Sequence, residues 1–290
     1  MSNEAILDQI LEAADETLIP WEECHLPSGG IYYGWPDGTV MVRPMGQMAE
    51  KVLATQRLAQ SGQSMDLLFQ ECIKFPMGFD SGDLLLGDRV FLLYYLRGIT
   101  HGNLYEFAIT CPQTSCEAVS THTYDLNELA KTVTWANPAN GVEPFKVKLP
   151  YLSKATGRDI NVGVRFLRGV DANDILARKK AKKKMYARPG GVKTRGVDTR
   201  RQAQDNQTLD DSVTENLNKM IVDVMGVTDH FKIRAFVEKM HAQDTAAVRE
   251  WLRNNTPGID NTVTVTCPEC ELEFTVELPI TESFFRPSKQ

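Results

Sequence analysis

Two short cysteine pairs constrain this chain more than any other feature. Cys111-Pro-Gln-Thr-Ser-Cys116 and Cys267-Pro-Glu-Cys270 are separated by residues 117–266. Each pair sits between two β-prone runs. Tyr105 to Thr110 leads into the first pair and Val119 to Tyr124 leads out. Thr262 to Thr266 enters the second, and Leu272 to Leu278 leaves it with period-2 alternation. Two copies of strand, cysteine pair, strand match the two knuckles of a zinc ribbon clamping one ion. Zn2+ takes four soft or borderline ligands in a tetrahedron, and two cysteines close in sequence supply half of that set from one turn. A proline follows the first cysteine of each pair, fixing φ and helping to turn the next N–H groups toward the sulfurs.

The ligand set read from this spacing is Cys111, Cys116, Cys267 and Cys270, with a structural Zn2+ as the cofactor. Four thiolates leave no open coordination position, so Lewis-acid catalysis is not expected. Local disulfides and reduced thiols packed as small hydrophobes are the alternative states of the same residues. The remaining cysteines, Cys24 and Cys72, read as structural and core residues, respectively. The five histidines form no HxxxH or HExxH pattern. No GxSxG, P-loop or GxGxxG motif occurs, and the reading is non-enzymatic.

Charge is strongly segregated. Residues 178–201 hold eleven Lys or Arg and one Asp, a net of +10, which leaves -16 on the rest of a chain of net charge -6. The run could neutralise phosphates, but Tyr186 is its single aromatic, so the stacking series of single-strand binders is missing. A loop complementary to an acidic protein surface is the preferred reading, and nucleic acid is not the expected partner. The candidate partner surface comprises Lys179, Lys180, Lys182, Lys183 and Lys184, together with Phe284, Phe285 and Arg286 of the tail. Trp21 to Trp35 is a further docking candidate, because aromatics and Arg make interface anchors. Core packing is the alternative for both aromatic groups.

No apolar run reaches the ~18 residues of a membrane span, and the acidic N-terminus lacks the pattern of a secretory leader. Periodicity predicts a helix over residues 4–16, a hairpin or paired extended segments over 31–44, helical composition over 46–60 and a short apolar helix or turn over 65–73. Asp83 to Leu96 is the most apolar segment and predicts a buried central helix, N-capped by Asp83 and stopped at Gly98 or Gly102. Residues 144–167 read as a hairpin turning at 156–159. Asp171 to Lys184 reads as a helix, as do Leu209 to Met225, Asp229 to Met240 and Thr245 to Asn254. The expected fold class is α+β, a helical body with a split zinc-ribbon-like β element carrying the four cysteine ligands. That element is formed by the two distant segments of strand, cysteine pair and strand. The expected segments of the chain are 1–82, 83–125, 126–208, 209–256 and 257–290.

Four segments carry a family resemblance: LPSGG (26–30), VRPMGQMAEKVLA (42–54), DLLLGDRVFLLYYLRGITHGNLYEFAITCP (83–112) and TVTVTCPECELEFTVELPITESFFRP (262–287). Together they resemble the baseplate hub family of contractile-tailed, T-even-type bacteriophages, which includes hub assembly chaperones. The first knuckle departs from the family in having four residues between its cysteines. The basic run is not among the segments that carry the resemblance, and its role is unassigned. The resemblance implies a virion or assembly protein without catalysis. It would act in the tail baseplate after assembly in the host cytoplasm, within a hetero-oligomer of baseplate, hub, wedge or tape-measure proteins. The competing reading is a zinc-ribbon nucleic-acid-binding regulator that uses residues 178–201.

Overall fold

The computed structural model describes residues 20–55, 63–186, 212–280 and 282–285. The chain resolves into two compact units, one made of Met1–Pro138 with Thr256–Gln290 and the other of Ala139–Asn255. The helix expected over residues 4–16 lies outside the described residues.

The first unit opens with a three-stranded antiparallel sheet. Strand β1 (Glu22–His25) pairs with β2 (Thr39–Val42), and β2 pairs in turn with β3 (Ile73–Lys74). The hairpin expected over 31–44 is therefore corrected: Ile31–Tyr33 is a 3-10 turn, and only the second half of the segment is a strand. Its partner lies earlier in the chain, because the glycine-rich loop 26–38 folds tightly onto itself. At Gly38 φ is +62°, and a Cβ there would meet the carbonyl carbon of Gly29 at 2.2 Å, so no side chain fits. Helices α1 (Gln47–Ala54) and α2 (Gln63–Cys72) follow.

Helix α3 (Leu86–His101) is the long apolar helix expected from sequence. It starts later than expected. Asp80 caps a preceding 3-10 turn at Ser81–Asp83, while Gly102, at φ +81°, ends the helix. Leu92 and Leu96 are fully buried, each burial contributing roughly 1.5–3 kcal/mol. Strands β4 (Leu104–Thr110) and β5 (Val119–Asp125) form an antiparallel hairpin, and β6 (Val133–Thr134) closes this half.

The second unit is built on an antiparallel sheet of β7 (Phe145–Lys148), β8 (Asn161–Val164) and β9 (Ile221–Val224). The expected 144–167 hairpin pairs β7 with β8, but its connection contains helix α4 (Pro150–Thr156), with Pro150 in the first turn and Gly157 in the left-handed conformation after it. The remaining helices are α5 (Gly169–Tyr186), α6 (Ser212–Met220), α7 (His230–Val237) and α8 (Ala242–Asn255). A helix running through Met225 is corrected. Ile221-Val-Asp-Val leaves the helix to become the third strand, because its β-branched residues complete the hydrogen bonding of β8. Asp244, buried at the start of α8, accepts from the N–H groups of Tyr151 (2.8 Å) and Leu152 (3.3 Å), capping α4 from another element.

The chain then returns to the first unit. Strand β10 (Gly258–Ile259) pairs with β6, and β11 (Thr262–Thr266) forms a hairpin with β12 (Glu273–Glu277), before the short α9 (Glu282–Phe285). Gly87 permits the close crossing of α3 over β10, since a Cβ there would lie 1.8 Å from the Pro257 carbonyl oxygen. Tyr94 and Tyr105 donate to the carbonyls of Leu278 (3.1 Å) and Pro279 (2.7 Å). Tyr105 and Phe107 from β4 share one core with Val263 and Val265 from β11. This core brings the two cysteine-bearing hairpins together.

Candidate metal centre

Each cysteine pair occupies the tip of one hairpin, and the two tips share one frame. The N–H of Cys111 donates to the Ala118 carbonyl at 2.8 Å, and that of Cys267 donates to the Leu272 carbonyl at 2.9 Å. Each closes the loop immediately beyond its last strand pair, Thr110–Val119 or Thr266–Glu273. Inside each loop a single turn ends in a left-handed residue directly after the second cysteine, Glu117 at φ 47° and Glu271 at φ 57°. The Glu117 N–H reaches the Gln113 carbonyl at 3.0 Å, and the Glu271 N–H reaches the Cys267 carbonyl at 2.9 Å. Cys116 and Cys270 thus hold equivalent turn positions. The two extra residues of CPQTSC lie ahead of the turn, so the turn itself is the same in both loops.

The four Sγ atoms lie within 4.8 Å of one another. Their close contacts cross between hairpins, Cys111 to Cys270 at 3.6 Å and Cys116 to Cys267 at 3.9 Å. A tetrahedron with metal–sulfur bonds of ~2.3 Å has sulfur–sulfur edges of about 3.8 Å, so the spacing fits a four-thiolate metal site. All six cysteines are free.

Backbone N–H groups point at these sulfurs and favour their charged form. The Cys267 thiol is drawn down to about 7 by the N–H groups of Cys270 and Glu269. Cys111, Cys116 and Cys270 each receive a bond from the N–H two residues ahead, that of Gln113, Ala118 and Leu272, which pulls the same way. Their thiols nonetheless stay above the ordinary value, because burial and neighbouring sulfurs outweigh that pull. All four sulfurs would gain from a cation at their centre. Cys24 and Cys72 are unlike these four. They are buried, and burial pushes each thiol up to about 12, the charge of Asp88 adding to the effect at Cys24 and that of Glu71 at Cys72.

The expected partner surface divides. Lys179 is exposed and Lys180 half-buried on α5, whose backbone also carries Lys182, Lys183 and Lys184. The side chains of those three, and all of Arg286, lie outside the described residues. Phe284 and Phe285 are corrected from docking anchors to core residues. They are 0% and 2% exposed, and Phe284 stands edge-on to Tyr94 and Tyr105 at 5.2 and 4.9 Å. The two phenylalanines follow Leu278, itself buried, and pack inward with it. In the Trp21 to Trp35 stretch, Trp21 lies under Arg43 and Lys74, at 4.9 and 4.1 Å. Trp35 packs with Tyr33, Phe75 and Phe79, a satellite of the core rather than a free anchor.

Periodicity did not reveal the buried polar cluster of α3. The Asp88 carboxylate, fully buried, accepts from the Ser28 N–H at 3.0 Å and from the Tyr33 hydroxyl at 2.6 Å. The same hydroxyl accepts from the Leu85 N–H at 2.7 Å. Burial raises the Asp88 carboxyl above its usual range despite these donors. The available signal was a charged Gly-Asp-Arg inside the most apolar run of the chain.

A family model described as T4 bacteriophage base plate protein matches residues 21–286, both hairpins and both units included. No curated protein and no solved structure matches the chain. Among the described residues, no helix is long and apolar enough to cross a membrane.

Proposed function

The chain belongs to the T4 bacteriophage base plate protein family, and from that premise we propose a non-enzymatic structural or assembly protein of the baseplate hub, clamped by one structural Zn2+. The observation that carries the zinc reading is the convergence of four sulfurs from two hairpins far apart in sequence. Cys111, Cys116, Cys267 and Cys270 would hold the ion, which when bound supplies a cross-link and no open position for chemistry. Such a clamp offsets the loop-closure entropy of joining the two hairpins across the intervening unit. The rigid body so formed acts through its surfaces, on other hub, wedge or tape-measure proteins.

Elemental analysis of the purified protein tests the metal: one zinc per chain is expected, and none in Cys111→Ser or Cys267→Ser. Zinc retained by both variants would refute the ligand set. Mass spectrometry of purified particles tests the place of action. Peptides of this chain in mature tails mark a permanent hub component. Their presence only in assembly intermediates marks a chaperone, and absence from both defeats the baseplate role.

A further inference from the structure

The second unit has a cleft of about 400 Å³ among α5, α6, β9 and α7, and the metal reading makes no use of it. Arg178, Lys219 and Arg234 line it together with Glu215, Asn218 and Phe231. Phe231 is the odd member. The residue is 88% exposed in the first turn of α7, although its own N–H is held by the Asp229 carboxylate at 2.9 Å. The backbone is fixed, therefore, while a large apolar surface is left open to water. An exposed aromatic flanked by arginines has the composition of an interface anchor.

The polar groups around it differ in what they leave open. Lys219 is held by Asp174 at 2.6 Å, and Arg234 by Glu238 at 3.2 Å. Arg178 is exposed and forms no ion pair among the described residues, and exposed Lys179 stands next to it. On the cleft wall the Asn218 Oδ1 atom is buried and has no hydrogen-bond partner among the described residues. An occupant must therefore bring carboxylates for the cations, an N–H for Asn218 and an apolar side chain for Phe231. A peptide carries all three. A nucleic-acid backbone offers phosphate acceptors only, with neither a donor for the Asn218 oxygen nor an apolar side chain for Phe231.

We propose that this cleft docks an acidic peptide segment, bearing an apolar anchor residue, from a partner protein. The proposal rests on the baseplate reading and adds the chemistry of the partner. The test presents the full-length chain with short peptides tiled across the other tail proteins of the same phage, and with short duplex DNA as a separate arm. Phe231→Ala and Arg178→Glu change exposed side chains, so both should fold. Retention of acidic tiles by the parent chain, with affinity falling about ten-fold or more in both variants, is the expected result. The proposal is overturned if no tile binds, if the retained tiles are not acidic, or if the variants bind as tightly as the parent. It is also overturned if duplex DNA, rather than a tile, is what Arg178→Glu releases. Each of these failures leaves the baseplate role standing, because particle composition tests that role separately.

Discussion

The two units hold their polar side chains by different chemistry. All six cysteines belong to the first unit and none to the second. The first buries Asp88 against neutral donors and gathers four sulfurs at two hairpin tips. The second holds buried Asp244 by backbone N–H groups and pairs Asp171 and Glu143 with cations. Asp171 takes both guanidinium nitrogens of Arg165 at 2.7 and 2.8 Å, and Glu143 takes Arg168 at 2.8 Å. On the proposed zinc reading the first unit would draw on an added ion, whereas Asp171 and Glu143 of the second find their counter-charges in Arg165 and Arg168.

Metal removal is the hardest test of that contrast. Structural zinc in small domains supplies roughly 10–16 kcal/mol of apparent binding free energy. Chelation is therefore expected to abolish hydrogen-exchange protection in residues 104–125 and 262–277 while residues 145–164 and 242–255 keep theirs. Equal loss in both units would show that the metal does not act on the first unit alone. The next largest effect is expected in the second unit. Asp171→Ala strands Arg165, half-buried, and should cost about 3 kcal/mol in urea unfolding of that unit, with zinc content unchanged.

Tyr33→Phe comes next. It leaves the Leu85 N–H and one Asp88 oxygen without their partner, an expected loss of about 2 kcal/mol. The same carboxylates give the comparison a pH dependence of opposite sign. Burial holds the Asp88 carboxyl above its usual value, so its contribution is fully present below the ordinary carboxylate range and is lost as pH rises through the raised value. Burial also opposes ionisation at Asp171, but Arg165 outweighs it and the carboxyl is lowered. Its contribution is present above the ordinary range and is lost as pH falls through the lowered value. Stability differences from Asp88→Asn and Asp171→Asn, measured against pH, should therefore slope in opposite directions. Parallel slopes would remove the distinction between the units.

The sequence made these features legible to different degrees, for a physical reason. Strands flanking the cysteine pairs alternate with period 2, and the α3 segment is apolar on nearly every side, so both could be read locally. The pairing of β1 with β2 could not, because the loop between them depends on glycines whose close approach is visible only in space. Ile221-Val-Asp-Val read as helix because its preference for a strand comes from β8, far away in sequence. The inward packing of Phe284 and Phe285 was hidden for the same reason. Their partners, Tyr94 and Tyr105, lie on elements formed far earlier in the chain.

The smallest effect tests the knuckles themselves. Glu117 and Glu271 adopt positive φ without being glycine, a conformation that costs an L-residue roughly 1–2 kcal/mol. Glycine removes that strain but costs roughly 0.5–1 kcal/mol in unfolded-state entropy. Glu117→Gly and Glu271→Gly should therefore each stabilise the first unit by about 0.5 kcal/mol in urea unfolding, with zinc stoichiometry kept. If the two knuckles share one frame despite their unequal spacing, the gains should match. A gain at Glu271 with a loss at Glu117 would mean that the two extra residues of CPQTSC alter the turn rather than precede it.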